Sequence, residues 1–266
     1  MSVQTLYSAA TGMTSLQTKL DVIANNLANL ETTAFKRDRA NFEDLFYRHE
    51  KFPGDQDSAG QYTPTGIQIG LGSRVSSVQD DFKQGAFKQT GNPLDVAVEG
   101  IGFFQVLDPS GQTYYTRAGN LAVNANGNLV TGSAETGRLL QPAITIPIDA
   151  VGITISPEGV VSVRQPASNQ MQQLGQLQLA SFINPQGLLK RGENLYAETD
   201  SSGAPTLGNP GINGMGLLRQ NSLEASNVEP VTELIDLITT QRSFELNSQA
   251  VRAGDQMLQT VANLGR

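Results

Sequence analysis

Along the first thirty residues the apolar positions recur alternately three and four apart: Leu6, Ala9, Met13, Leu16, Leu20, Ile23, Leu27 and Leu30. This is the a/d spacing of a heptad repeat. It predicts an amphipathic helix over residues 1–34, with a seam roughly 45 Å long at 1.5 Å per residue. Gly12, beside the seam, is the lone interruption, at a cost of about 1 kcal/mol in a helix interior. At the other end, Ser226-Asn227-Val228-Glu229-Pro230 reads as a helix start with proline available for the first turn. A helical stretch follows to about Leu264, within a predicted helical region of 227–266. Val231, Leu234, Ile235 and Ile238 form one apolar patch, and Phe244, Val251, Met257, Leu258, Val261 and Leu264 continue it past Gln241 and Ser248.

The middle of the chain has another rhythm. Four short apolar runs are joined by turn chemistry: FFQV-LDPSG-QTYYT, LAV-NANG-NLV, ITI-SPEG-VVSV and LASFI-NPQG-LLKR. Asn-Gly and Pro-x-Gly supply the positive-φ positions that hairpins need. Ile153/Ile155 and Val161/Val163 alternate with polar neighbours, as half-buried antiparallel strands do. Two polar stretches, 47–66 and 201–216, show neither periodicity, and segments of that kind are usually functional loops or linkers. The expected fold class is α+β: long N- and C-terminal helices form a coiled-coil-like inner domain, and an antiparallel β domain over 76–209 is inserted between them. A connecting region at 35–75, including the extended loop 47–66, and a return connection at 210–226 complete the organisation.

Burying seven large seam residues at about 1.5–3 kcal/mol each represents roughly 10–20 kcal/mol of gross stabilisation, which an isolated helix cannot collect. The two terminal helices can share one seam as an antiparallel hairpin, or both can pack against other copies. The second arrangement explains more, because Ala9, Ala10, Ala24 and Ala28 permit close approach of several neighbours. Asn25, Asn26 and Asn29 read equally well as a solvated helix face or as an amide ladder bonded to neighbouring subunits. Lys36-Arg37-Asp38-Arg39 is the strongest local positive cluster, and ion pairs between stacked subunits are favoured for it over a plain solvated face.

Composition removes most chemistry. In 266 residues there is no cysteine, and His49 is the only histidine. Disulfides, thiolate sites and multi-histidine metal centres are thereby excluded. A formal charge of −7 argues against a general nucleic-acid binder. No apolar run approaches membrane-spanning length, and no cleaved Sec signal is expected from the N-terminal sequence. The adjacent carboxylates Glu43-Asp44 and Asp80-Asp81 diverge on any regular backbone. Gly100-Ile101-Gly102-Phe103-Phe104 is read as a tight turn entering a core strand, not a phosphate loop, and His49 as exposed.

ANNLANLETTAFKRDRANFEDL (24–45), DVAVEGIGFFQV (95–106), YTRAGNLAVNANGNLV (115–130) and LEASNVEPVTELIDLITTQRSFELNSQAVRAGDQMLQTV (223–261) resemble, in order and over nearly the whole chain, bacterial flagellar rod and hook proteins. Length, the 47–66 stretch and GENLYAETDSSGAP (192–205) are most like the distal-rod members, with a proximal rod subunit carrying a β domain as the alternative. Glu31 and Ala34 depart from the family pattern, which often has Ser or Val, and Gly, at those positions. Losing that glycine is expected to stiffen the helix exit.

The resemblance implies a structural subunit of the basal body, stacked helically into a rigid hollow drive shaft that crosses the periplasm. The terminal helices would line an export channel, the β domain would face outwards, and the flagellar type III apparatus would export the chain. Implied partners are further copies in a helical polymer, proximal rod proteins, the hook protein, the periplasmic and outer-membrane ring (bushing) proteins, the rod cap and the export apparatus. Nucleic acid, membrane insertion, cofactors, metals and catalytic residues are not expected. Expected interface residues are the Leu6-to-Leu30 seam, Asn25, Asn26, Asn29, Leu234, Ile238, Gln241, Arg242, Phe244, Val251 and Leu258.

The 47–66 loop is expected to stiffen the polymer, with Tyr47, Phe52 and Tyr62 as anchors and Pro53 and Pro64 limiting its freedom. The net negative charge suggests an acidic outer face that limits sticking to a surrounding ring. A secreted β-domain enzyme acting on the cell wall is the reading from a different class. It lacks a convincing catalytic pair and leaves the long helices unexplained.

Overall fold

The computed structural model describes residues 3–56, 60–62, 64–133, 136–166 and 170–264. Residues 57–59 and 63 of the expected loop lie outside the described residues, as do the side chains of Val261 and Leu264. The fold is α+β, with helices α1, Val3–Ala28, and α2, Pro230–Leu264, at its ends and antiparallel strands between. It divides into two compact units: residues 1–28, 38–80 and 229–266 form the first, and residues 29–37 and 81–228 the second.

In the first unit α1 and α2 run antiparallel. Gly254 of α2 lies against Leu6, Asn247 against Gly12, and Glu233 within reach of Asn26. Glu233, Leu237, Thr240, Phe244, Asn247, Val251 and Gly254, spaced three and four apart, form a buried and half-buried stripe on α2, with half-buried Asp236 and Ser248 beside it. That stripe mixes polar, small and apolar side chains. It differs from the patch the apolar pattern singles out, because Val231, Leu234, Ile235 and Ile238 are all exposed.

α1 stops at Ala28, six residues short of the expected end. Asn29 accepts both the Thr32 N–H (3.2 Å) and the Thr32 hydroxyl (3.0 Å), and Ala34 turns into the left-handed region at φ 58°. These local bonds compete with helix continuation, so Leu30 lies beyond the helix and outside the seam.

The 38–80 segment is a long antiparallel hairpin. Asp38–Asp44 pairs with Ser73–Asp80, and Tyr47–Lys51 pairs with Ile67–Gly70. The 47–66 stretch is therefore not irregular at its base. All residues of Tyr47–Lys51 are exposed, so main-chain bonds make the strand and no side-chain alternation marks it. Leu45 N–H to Gly72 O (2.9 Å) and Leu71 N–H to Phe46 O (3.1 Å) join the two ladders.

The second unit contains, among the described residues, a nine-stranded sheet, a three-stranded sheet and two strand pairs. Val96, Val98, Phe104, Val106, Leu129, Val161 and Leu179 belong to its main core, and Phe103, Tyr115, Phe182 and Tyr196 to an aromatic one. Burial, then Glu198, pushes the Tyr115 phenol up to about 12, so it stays protonated and donates to Glu198 Oε2 at 3.3 Å. Three of the expected hairpins form, through Gly111, Gly127 and Gly159, at φ 83°, 81° and 82°.

The fourth does not form. Gly187 lies outside the positive-φ set, and Pro185–Gly187 is a 3-10 turn. Leu179–Ser181 pairs with Phe103–Leu107 and Thr206–Gly208 instead, and Leu189–Gly192 pairs with Leu195–Ala197. The stretch 210–226, expected as a connection, carries two further strands. Leu217–Gln220 pairs with Val96–Glu99, and Ser222–Glu224 with Phe87–Gln89.

Gly254 lies close against α1, and a methyl group there would meet the Leu6 side chain, with Cδ2 at 2.5 Å. Replacing Gly254 with Leu should lower the stability of the helical unit by about 1–3 kcal/mol through overpacking. The loss is read as an earlier thermal transition of the far-ultraviolet helical signal.

Candidate assembly interface

Each of the two units contains a buried polar hub. In the first, Asn26 is 1% exposed and uses its side-chain amide as a strand would use its backbone. Its Nδ2 donates to Asp38 O (2.9 Å), and its Oδ1 accepts the Asp38 N–H (2.8 Å). The same Nδ2 reaches Glu233 Oε2 at 3.4 Å. One amide thus fastens the end of α1 to the start of the hairpin and the first turn of α2. Neither reading of the asparagine trio covers this, and Asn26 is withdrawn from the expected intersubunit set because its bonds are made inside the chain. Asn25 is exposed and donates to Asp38 Oδ2 at 3.2 Å, while Asn29 is half-buried in the turn that ends α1.

In the second unit Glu224 is the hub. Lys36 Nζ approaches its Oε1 at 2.6 Å, Arg117 Nε its Oε2 at 2.9 Å, and the Gly85 N–H donates to Oε1 at 2.9 Å. Lys36 also donates to Lys83 O at 2.7 Å. Arg117 donates to the carbonyls of Gly102, Val98 and Gly100 at 2.9–3.2 Å. Burial works to raise the Glu224 pKa, but the charges of Arg117 and Lys36 and the hydrogen bonds outweigh it and hold the carboxyl below its ordinary value. For Lys36 burial is the largest influence and lowers its pKa, with the attraction of Glu224 opposing it.

Lys36 therefore corrects the expectation for the basic cluster: it is fully buried and paired within the chain. The sequence motifs include Lys36, Arg117 and Glu224, but nothing local links residues that lie 188 and 107 positions apart.

The expected apolar seam is only partly consumed. Ile23 is buried at 3%, whereas Leu6, Ala9, Met13, Leu16, Leu20 and Leu27 are half-buried. On α2, Phe244 and Val251 are half-buried. Val231, Leu234, Ile235, Ile238 and Leu246 are 45–70% exposed, Leu258 is exposed at 39%, and Gln241 and Arg242 lie exposed beside them. This is a run of large apolar side chains left in water along one helix.

At the far part of the hairpin, Tyr47, Phe52 and Tyr62 are exposed at 48%, 57% and 72%, and Pro53 and Pro64 are exposed too. The His49 ring stacks on Phe52 with centroids 5.0 Å apart. Among the described residues nothing buries these anchors. The charge is uneven as well: the second unit holds ten Lys and Arg against twelve Asp and Glu, and the first eight against thirteen. Most of the net negative charge thus lies in the helical unit, which removes the motive for an acidic β face.

Comparison with known proteins places this architecture. Residues 6–36 match the family described as flagella basal body rod protein, residues 97–163 the flagellar hook protein FlgE/F/G D1 domain, and residues 219–264 the flagellar basal body rod FlgEFG protein C-terminal region. The chain is similar to the flagellar basal-body rod protein FlgG of Caulobacter vibrioides, 47% identical over 98% of this chain and 99% of that one. It is 42% identical to the FlgG protein of Borreliella burgdorferi over 99% of both chains. The FlgG protein of Bacillus subtilis is 38% identical over 99% of this chain and 100% of its own.

Glu224→Gln strands two buried cations, and should cost the second unit about 3–5 kcal/mol of stability, measured by urea unfolding. The lowered Glu224 pKa contributes stability that is complete above the ordinary carboxylate value and lost as pH falls through the folded one. Wild-type stability should therefore fall below about pH 4, and Glu224→Gln should flatten that limb. An acid limb of equal slope in both proteins would contradict the assignment.

Proposed function

The chain belongs to the flagellar basal-body rod protein family, and on that premise we propose that it is a structural subunit of the distal rod. In this reading it polymerises helically into a hollow shaft that carries torque across the periplasm from motor to hook. Its partners are further copies, proximal rod proteins, the hook protein, the surrounding rings and the rod cap, reached after export by the flagellar type III apparatus. No catalytic step is assigned to it.

The observation that carries the proposal is the uncovered stripe Val231, Leu234, Ile235, Ile238 and Leu246 on α2. Each such side chain gains about 1.5–3 kcal/mol on full burial, and soluble monomers rarely leave large contiguous apolar patches open. The mixed inner stripe of α2 already meets α1, so neighbouring copies are the natural cover for the outer one. Leu234, Ile238 and Leu258 and the open flanks of Leu6, Ala9, Met13, Leu16, Leu20 and Leu27 make up the proposed coiled-coil-like contact. Gln241 and Arg242 supply polar contacts across it, the guanidinium fork suiting a carboxylate of the next subunit.

The 47–66 stretch, which forms an arm with the strand Ile67–Gly70 that pairs with its base, is proposed to wedge between neighbours. Burial of Tyr47, Phe52 and Tyr62 by adjacent copies would resist the sliding that bending requires.

The test is growth of the purified full-length protein on isolated proximal rods, followed by electron microscopy. Wild type should extend straight tubes. Ile235→Asp combined with Ile238→Asp, at positions exposed in the single chain, should leave the circular dichroism unchanged and abolish extension. Extension by that variant at the wild-type rate would refute the contact.

Excising 47–70 and rejoining its ends should preserve extension but give curved, flexible tubes. Straight tubes from this variant would remove the stiffening role.

A further inference from the structure

Asn-Gly pairs occur twice in the chain, at Asn126-Gly127 and Asn213-Gly214, and the fold treats them differently. Both belong to hydrogen-bonded turns, but in different registers. At 124–127 the turn is closed by the Gly127 N–H donating to Asn124 O at 2.9 Å, so the amide after the asparagine is the closing donor. A methyl group at Gly127 would meet Ile146 O at 2.6 Å, which shows how crowded this position is. At 212–215 the closing donor is the Met215 N–H, to Ile212 O at 3.1 Å. Asn213 and Gly214 are the two central residues, with φ of 54° and 78°. The Gly214 N–H has no hydrogen bond among the described residues, both residues are exposed, and a methyl group at Gly214 would meet nothing within 4 Å.

We propose that Asn213 is a site of spontaneous deamidation in the folded protein and that Asn126 is protected by its turn. The Gly214 amide nitrogen, after giving its proton to hydroxide, attacks Cγ of Asn213. A carbon–nitrogen bond forms, the Cγ–Nδ2 bond breaks, and the side-chain nitrogen leaves as ammonia on taking up a proton from water. Water then opens the cyclic imide at either carbonyl to give aspartate or isoaspartate. The reaction consumes one water and changes no oxidation state. At Asn126 the same attack first requires breaking the Gly127 bond and opening the turn, so only the locally open fraction reacts.

The positive φ of both central residues explains the Asn-Gly pair on structural grounds, since this hairpin turn type favours it. The same register frees the attacking nitrogen. Conversion to isoaspartate routes the main chain through the side chain, adding a methylene, and places a carboxylate between Ile212 and the buried Met215. The neighbouring Gly216 N–H to Ile101 O bond, at 2.7 Å, lies next in line to be disturbed.

The experiment is peptide mapping by tandem mass spectrometry of the full-length protein aged in mildly alkaline buffer, with and without denaturant. In the folded protein Asn213 should convert to aspartate and isoaspartate roughly tenfold or more faster than Asn126, and in denaturant the two rates should converge. Equal rates in the folded protein, faster conversion at Asn126, or an intact Asn213 over an interval in which the denatured chain converts would each overturn the proposal.

Discussion

The second unit depends on keeping one carboxylate charged where water cannot reach it. Glu224 is tolerated at 1% exposure only because Lys36, Arg117 and the Gly85 N–H surround it, and an isolated buried charge would otherwise be prohibitive. Its main chain is engaged too, since the Ala34 N–H donates to Glu224 O at 2.8 Å. Asn227 continues the fastening by accepting the Arg37 N–H at 2.8 Å and donating to Asp81 O at 2.7 Å. The segments by which the chain enters and leaves this unit are thereby tied to one another, and a β unit inserted between two helices becomes a closed body.

In the first unit the distribution of polarity along α2 is the informative feature. An amphipathic helix in a self-sufficient fold turns its apolar stripe inward. Here the inner stripe mixes Glu233, Thr240, Asn247 and Gly254 with Leu237, Phe244 and Val251, and the outer one carries Leu234, Ile235 and Ile238. Gly254 lies against Leu6, and the amide of Asn26 reaches Glu233, so the inner contact is close and partly polar. Such a helix is incompletely satisfied as a monomer, and this accords with membership of a family of rod proteins.

Legibility in the sequence followed the range of the interaction. Pro230 starts α2 as its position in the sequence suggests, and the helix runs to Leu264. Three glycines that adopt positive φ closed the hairpins expected of them, whereas Gly187 did not and its hairpin is missing. The strand Tyr47–Lys51 left no periodic mark because both its faces are in solvent. Asn29, by its bonds to Thr32, and Ala34, by its positive φ, ended α1 in a way that the heptad count does not register.

What the sequence determined by itself was therefore the set of elements whose causes lie within a few residues: helix periodicity, caps, and turns that demand positive φ. The family resemblance added the order in which those elements belong together. Only the tertiary structure decided the partners. It made Lys36 a buried counter-ion rather than a surface cation, made Asn26 a clasp rather than a rung, and turned α2's apolar stripe outward. The reason is physical: these outcomes rest on desolvation and on partners such as Glu224 for Lys36 and Glu233 for Asn26, 188 and 207 positions away, which no local pattern links.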